Sequence, residues 1–111
     1  MQKTIQLLQT PFESSCGATP EFNTYARTFK REVKSVIESI GGELVSFSKG
    51  HFEVSGFFKV GEKFYYFSQS DLRYFVGQNL LLRTAKSEKD YTGGSNHFVE
   101  IGSEMFSQLP V

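Results

Sequence analysis

The sequence predicts an α+β fold: one long helix packed on a four- or five-stranded antiparallel sheet, in α-β-β-β-β order. Three observations predict it. Apolar residues recur at helical spacing from Phe22 to Ile40. The period then falls to two between Leu44 and Gln69, with two short turns between runs. A chain of 111 residues makes one domain, able to bury about 65% of its unfolded surface. The expected layout is an N-terminal segment and loop over 1–19, a helix over 20–40, and a sheet over 43–101 carrying a loop at 86–96.

Residues 1–10 suit either a short helix or an edge strand. Pro11 to Thr19 reads as a loop, because Pro, Gly and Ser punctuate it. Thr19-Pro20-Glu21 is a helix start: a capping hydroxyl, Pro at the first helical position and an acid in the first turn. Phe22, Tyr25, Ala26, Phe29, Val33, Val36, Ile37 and Ile40 form its apolar stripe. Gly41-Gly42 ends it, since Gly takes the left-handed conformation readily.

The first strand should alternate Leu44, Ser46 and Ser48 with Val45 and Phe47, and turn over Ser48 to His51. The second should place Phe52, Val54, Gly56, Phe58 and Val60 on one face, and turn at Gly61-Glu62. Lys63 to Gln69 is the third strand and Leu80 to Ala85 the fourth, with a capped turn over Ser70 to Arg73 between them. Phe98, Val99 and Ile101 either add a fifth strand or open a C-terminal helix. A single helix covers one sheet face. Phe57, Tyr65, Phe67 and Tyr74 are therefore expected partly on the other, under the C-terminal segment or as a contact surface.

Composition bounds function. Phe dominates the aromatics, with 12 Phe, 5 Tyr and no Trp, so Phe supplies much of the core. Twelve basic residues balance twelve acidic ones, and nothing in that balance demands a nucleic acid or an acidic partner. Cys16 is the sole cysteine, which excludes an internal disulfide and a Cys-based zinc site. No apolar run approaches the roughly 20 residues of a membrane span, and a bacterial cytoplasm is the expected compartment.

Two surfaces carry candidate chemistry. Arg27, Lys30, Arg31 and Lys34 share one side of the helix. They read as a phosphate-contacting stripe or as a solvated face, with Glu38 able to pair with Lys34 and Glu32 nearby. The segment from Arg83 to His97 reads as a clamp or as a soluble hairpin loop. In the clamp, Arg83, Lys86 and Lys89 hold phosphates and Tyr91 stacks. Asn96 completes the contact set, and the Gly93-Gly94 amides form an anion nest.

Other chemistries fail on pattern. The loop lacks the Gly-x-x-x-x-Gly-Lys spacing of a nucleotide-binding loop, and the chain has no Gly-x-Ser-x-Gly elbow. Lys49 to Phe57 departs from the RNA-binding strand of RRM domains, with Phe52 where Gly or Ala belongs and Glu53 in an aromatic position. A thiol nucleophile from Cys16 with His51 or His97 has no local signature. Neither histidine has a partner at i+4 for a metal. No enzyme, cofactor or metal is expected.

Leu81 to Lys86 followed by Lys89 to Asn96, with Glu53 to Phe58 ahead of Phe64 to Ser68, resembles small proteins of phages and conjugative elements. Some of these inhibit CRISPR–Cas nucleases. The resemblance covers roughly the second half of the chain and carries over no site. It implies a non-catalytic binding protein whose partner is a Cas-type nuclease or its nucleoprotein complex. The neutral charge argues against simple mimicry of nucleic acid. A sequence-independent nucleic-acid-binding module is the first alternative, and a small enzyme using Cys16 and a histidine the last.

Overall fold

The computed structural model describes residues 1–9, 20–70, 72, 79–91 and 93–111. Two helices precede five strands: α1 (Gln2–Leu8), α2 (Pro20–Ser39), β1 (Gly42–Lys49), β2 (Val54–Val60), β3 (Lys63–Gln69), β4 (Asn79–Ala85) and β5 (His97–Glu100). The strands form one antiparallel sheet in sequence order, so β1 and β5 are its edges. The α+β class and the meander agree with the sequence reading. The open choices resolve as a helix near the N-terminus and a fifth strand near the C-terminus.

Helix α2 begins at Pro20, where the missing N–H costs nothing. It ends one residue short of the expected Ile40, and Gly41 follows at φ 82. Its buried apolar residues, Phe22, Tyr25, Ala26, Phe29, Val33, Val36 and Ile37, all belong to the predicted stripe, and Thr28 is buried with them. Phe29 packs on Phe47 of β1 and Phe67 of β3, at ring-centroid distances of 6.1 and 6.0 Å. Tyr25 donates its hydroxyl to Gln69 Oε1 inside the core, and burial holds the phenol well above its ordinary pKa despite that bond.

Strand β1 departs from the expected alternation. Its register with β2 shifts between Leu44 and Ser46. The bulge moves the phase by one residue, so Leu44 and Phe47 both pack on the core while Val45 is 37% exposed. The following reversal is also displaced. The Gly50 N–H donates to the Glu53 carbonyl at 2.9 Å, and Phe52 sits inside that turn at φ 55. Phe52 is thus a turn residue, not a strand residue. Its ring fills the core end against Phe22, 5.2 Å away.

The sheet faces also differ from expectation. Gly56 pairs with Phe67 and Phe58 with Tyr65, so Tyr65 and Phe67 join Val54 and Phe58 on the helix side. Gly56 is required there: a Cβ would fall 2.6 Å from the Ser46 carbonyl and 2.7 Å from the Phe67 ring. Of the aromatics expected on the outer face, Phe57 is there and Tyr65 and Phe67 are not. Tyr74 lies outside the described residues, as do Cys16, Thr19 and the Asp71 and Arg73 of the expected turn.

Beyond β5 the chain forms successive turns, with Met105 N–H donating to the Gly102 carbonyl and Ser107 N–H to that of Glu104. Phe106 lies 4.6 Å from Phe58, so the C-terminal segment seals the helix side of the sheet. The outer face is left to the loop between β4 and β5. Among the described residues, no helix is long and apolar enough to cross a membrane.

Candidate functional site: the outer face of the sheet

Alternation along three strands builds the site. Phe57 pairs with Tyr66 across β2 and β3, and Tyr66 with Arg83 across β3 and β4. Opposed residues share a face, so these three project away from the helices. The loop after β4 then folds back. Tyr91 meets Phe57 edge-on at 5.1 Å and Tyr66 at 5.9 Å. Phe57 itself lies 5.0 Å from Tyr66. Three rings therefore form a second aromatic cluster, separated from the core by the sheet. Phe57 is 1% exposed, yet the ring above it, Tyr91, is 59% exposed.

Arg83 fixes this arrangement. Its guanidinium carbon stands 4.4 Å from the Tyr66 ring centroid. One guanidinium N–H donates to the Tyr91 carbonyl, tying the loop to β4. Its Nε is buried without an acceptor among the described residues. Arg83 is half-buried and engaged internally, so it positions Tyr91 and is not the free phosphate-binding cation the sequence suggested.

The rest of the loop is ordered by an acid. Asp90 Oδ2 accepts the Lys86 N–H at 2.9 Å, and Lys89 N–H reaches Ser87 Oγ at 3.2 Å. A Cβ on Gly93 would collide with the Asp90 carboxylate. The Asp90 carboxylate thus packs close against Gly93, one of the two glycines of the expected nest. Lys86, Lys89 and Asn96 are exposed.

Two further groups extend the face. Lys59 lies 5.5 Å from the Phe64 ring centroid. Phe98 of edge strand β5 pairs with Leu81 and is 67% exposed. A shallow groove of about 430 Å³ runs beside it, lined by Ser68, Ser70, Asn79 and Leu81 among others.

The other predicted surface lies elsewhere. Arg27, Lys30, Arg31 and Lys34 are exposed on α2, which covers the opposite face of the sheet. The structure therefore brings Arg83 and Tyr91 together but separates both from the helix stripe. It also corrects the place of Glu32, which was expected beside that stripe. Glu32 leaves α2 toward α1, where Oε1 accepts the Thr4 N–H at 2.7 Å and the Thr4 hydroxyl at 2.6 Å. Oε2 accepts the Lys3 N–H at 3.3 Å. Burial pushes the Glu32 pKa up, but these hydrogen bonds and the nearby N-terminal ammonium outweigh it and hold the carboxyl below its ordinary value.

Sequence reasoning missed Phe57 and Tyr66 as a pair, Phe98, and the positioning role of Arg83. The alternation placed Phe57 and Tyr66 on faces, but gave no reference for which face met the helix. No group of three or more His, Cys, Asp or Glu side chains suited to a metal occurs among the described residues. No protein-family model, curated protein or solved structure matches the chain.

Proposed function

We propose that this chain is a non-catalytic binding protein that uses the outer sheet face to occupy a surface on a protein or nucleoprotein partner. One observation carries the reading: the half-exposed Tyr91, held over Phe57 and Tyr66 by Arg83, with Phe98 exposed on the same face. Exposed aromatic surface costs solvation free energy in the free protein and is recovered on docking. Tyr and Arg are also the residue types that dominate binding energy at protein interfaces. A ring pre-positioned by stacking and by a backbone hydrogen bond loses little entropy when it docks.

The resemblance to proteins of phages and conjugative elements makes a Cas-type nuclease in a bacterial cytoplasm the first partner to test. Inhibition would follow from occlusion, which needs neither cofactor nor catalytic group. The test is direct binding of the purified chain to a Cas9-type nuclease, with and without guide RNA. The expected result is binding in at least one state, lost in Tyr91→Ala. Absence of binding in both states overturns the nuclease partner. Binding unchanged by Tyr91→Ala and by Phe98→Ser overturns the outer face as the contact.

A further inference from the structure

We propose that α2 and the end of β1 form one phosphate-binding surface, which engages a nucleic acid backbone while the outer sheet face remains free for protein. This inference does not rest on the outer-face reading, since the two surfaces lie on opposite sides of the sheet.

Lys49, the last residue of β1, reaches α2 and donates to Asn23 Oδ1 at 2.6 Å. Asn23 precedes Arg27, Lys30 and Lys34 by four, seven and eleven residues, so it continues their stripe toward the helix start. Lys30 extends toward the same strand, 5.9 Å from the Phe47 ring centroid. The helix stripe is therefore not an isolated solvated face. It joins the exposed β1 edge, and five cations from two elements share one surface: Arg27, Lys30, Arg31, Lys34 and Lys49, all exposed. At about 1.5 Å per residue, Asn23 to Lys34 spans about 16 Å, the axial length over which one strand of a DNA duplex presents about five phosphates.

Few acids lie near this surface. Glu32 is turned to the other flank of α2 and its carboxylate serves α1. Glu38 lies at the C-terminal end of the stripe, and no ion pair joins it to Lys34 among the described residues. Glu53 folds over Gly50 in the turn after Lys49. Counting also Glu21 in the first turn of α2, five cations stand against three acids, an excess of positive charge on one side of a chain whose net charge is zero. Such an excess favours a polyanion of regular spacing.

The experiment is fluorescence-anisotropy binding of the whole chain to a mixed-sequence duplex between roughly 50 and 200 mM salt. Vesicles containing phosphatidylserine serve as a second probe. Binding should weaken linearly in log–log form, with a slope of about −0.9 for each phosphate contacted. The double variant Lys30→Gln/Lys34→Gln should lower the slope by about two, and Lys49→Gln by about one. Tyr91→Ala should leave it unchanged. No binding at the lowest salt, binding insensitive to salt, or binding to vesicles alone overturns the proposal. So does a Lys49→Gln slope equal to that of the parent chain, since the surface then lacks its second element. All five positions are exposed, so the variants should retain the parent unfolding midpoint.

Discussion

Phe67 and Phe57 are equally hidden from water, at 0% and 1% exposure, but different things hide them. Phe67 faces the helices. Phe29, Phe47, Phe58 and Phe106 surround it, and they come from α2, β1, β2 and the C-terminal segment. Phe57 faces outward and is covered by its neighbour Tyr66 and by Tyr91 from a loop. The first site is closed by rings from four parts of the fold. The second is closed by a ring of the neighbouring strand and by one loop ring that is itself 59% exposed. Burial of equal extent therefore marks a core enclosed by several elements on one face and a cover supplied partly by an exposed loop ring on the other.

The comparison breaks most sharply under truncation. Phe67→Ala should cost about 3–5 kcal/mol, the range for aromatic truncation in a core that cannot collapse around the gap. Phe57→Ala should cost less than about 3 kcal/mol, because the Tyr91 loop can settle into the space. Urea unfolding of both variants checks this. Equal losses would mean that the outer cluster is as rigid as the core, and Tyr91 would then be structural.

Much of this division was legible in the sequence, though not all. The α2 stripe and the end at Gly41 follow from spacing and from the conformational freedom of glycine. The face assignment of Tyr65 and Phe67 failed because alternation fixes which residues share a face, not which face meets the helix. The bulge near Val45 failed for a related reason. One extra residue in one strand leaves no local signature, yet it inverts the phase of every position beyond it. The role of Arg83 was hidden because the loop return that brings Tyr91 over Tyr66 is a tertiary event. Charge alone made Arg83 look like a ligand-binding cation, whereas its contacts are internal.

A smaller effect separates the two helices. Seven residues make a marginal helix in isolation, so α1 depends on its contacts with α2. Glu32 supplies the hydrogen-bond acceptors that the first turn of α1 lacks, in the manner of a capping carboxylate. Its folded pKa lies below its unfolded one. The contribution is therefore complete above the unfolded carboxylate pKa and fades as pH falls through the folded value. Glu32→Gln should cost about 1 kcal/mol at neutral pH and make no difference at pH values below the folded pKa. Unfolding midpoints of the two chains across an acid titration should converge. Midpoints that stay parallel would show that α1 is held by Ile5, Leu7 and Leu8 alone.

The smallest expected change in stability carries the most information about function. Tyr91 is the exposed member of the outer cluster, so Tyr91→Ala should shift unfolding by roughly 0.5–1 kcal/mol, little more than an ordinary surface substitution. At a docking surface the same truncation should weaken partner binding by about 2 kcal/mol or more, near thirtyfold. Tyr91→Phe keeps the ring over Phe57 and Tyr66 and removes only the hydroxyl. It should retain most of the affinity if stacked area is what the partner reads, and lose it if the partner reads the phenol. A Tyr91→Ala variant that loses stability and affinity in equal measure would place the ring with the core, and the distinction between the two faces would fall. A ring that matters little to folding and much to binding is what a cover built for displacement or docking requires.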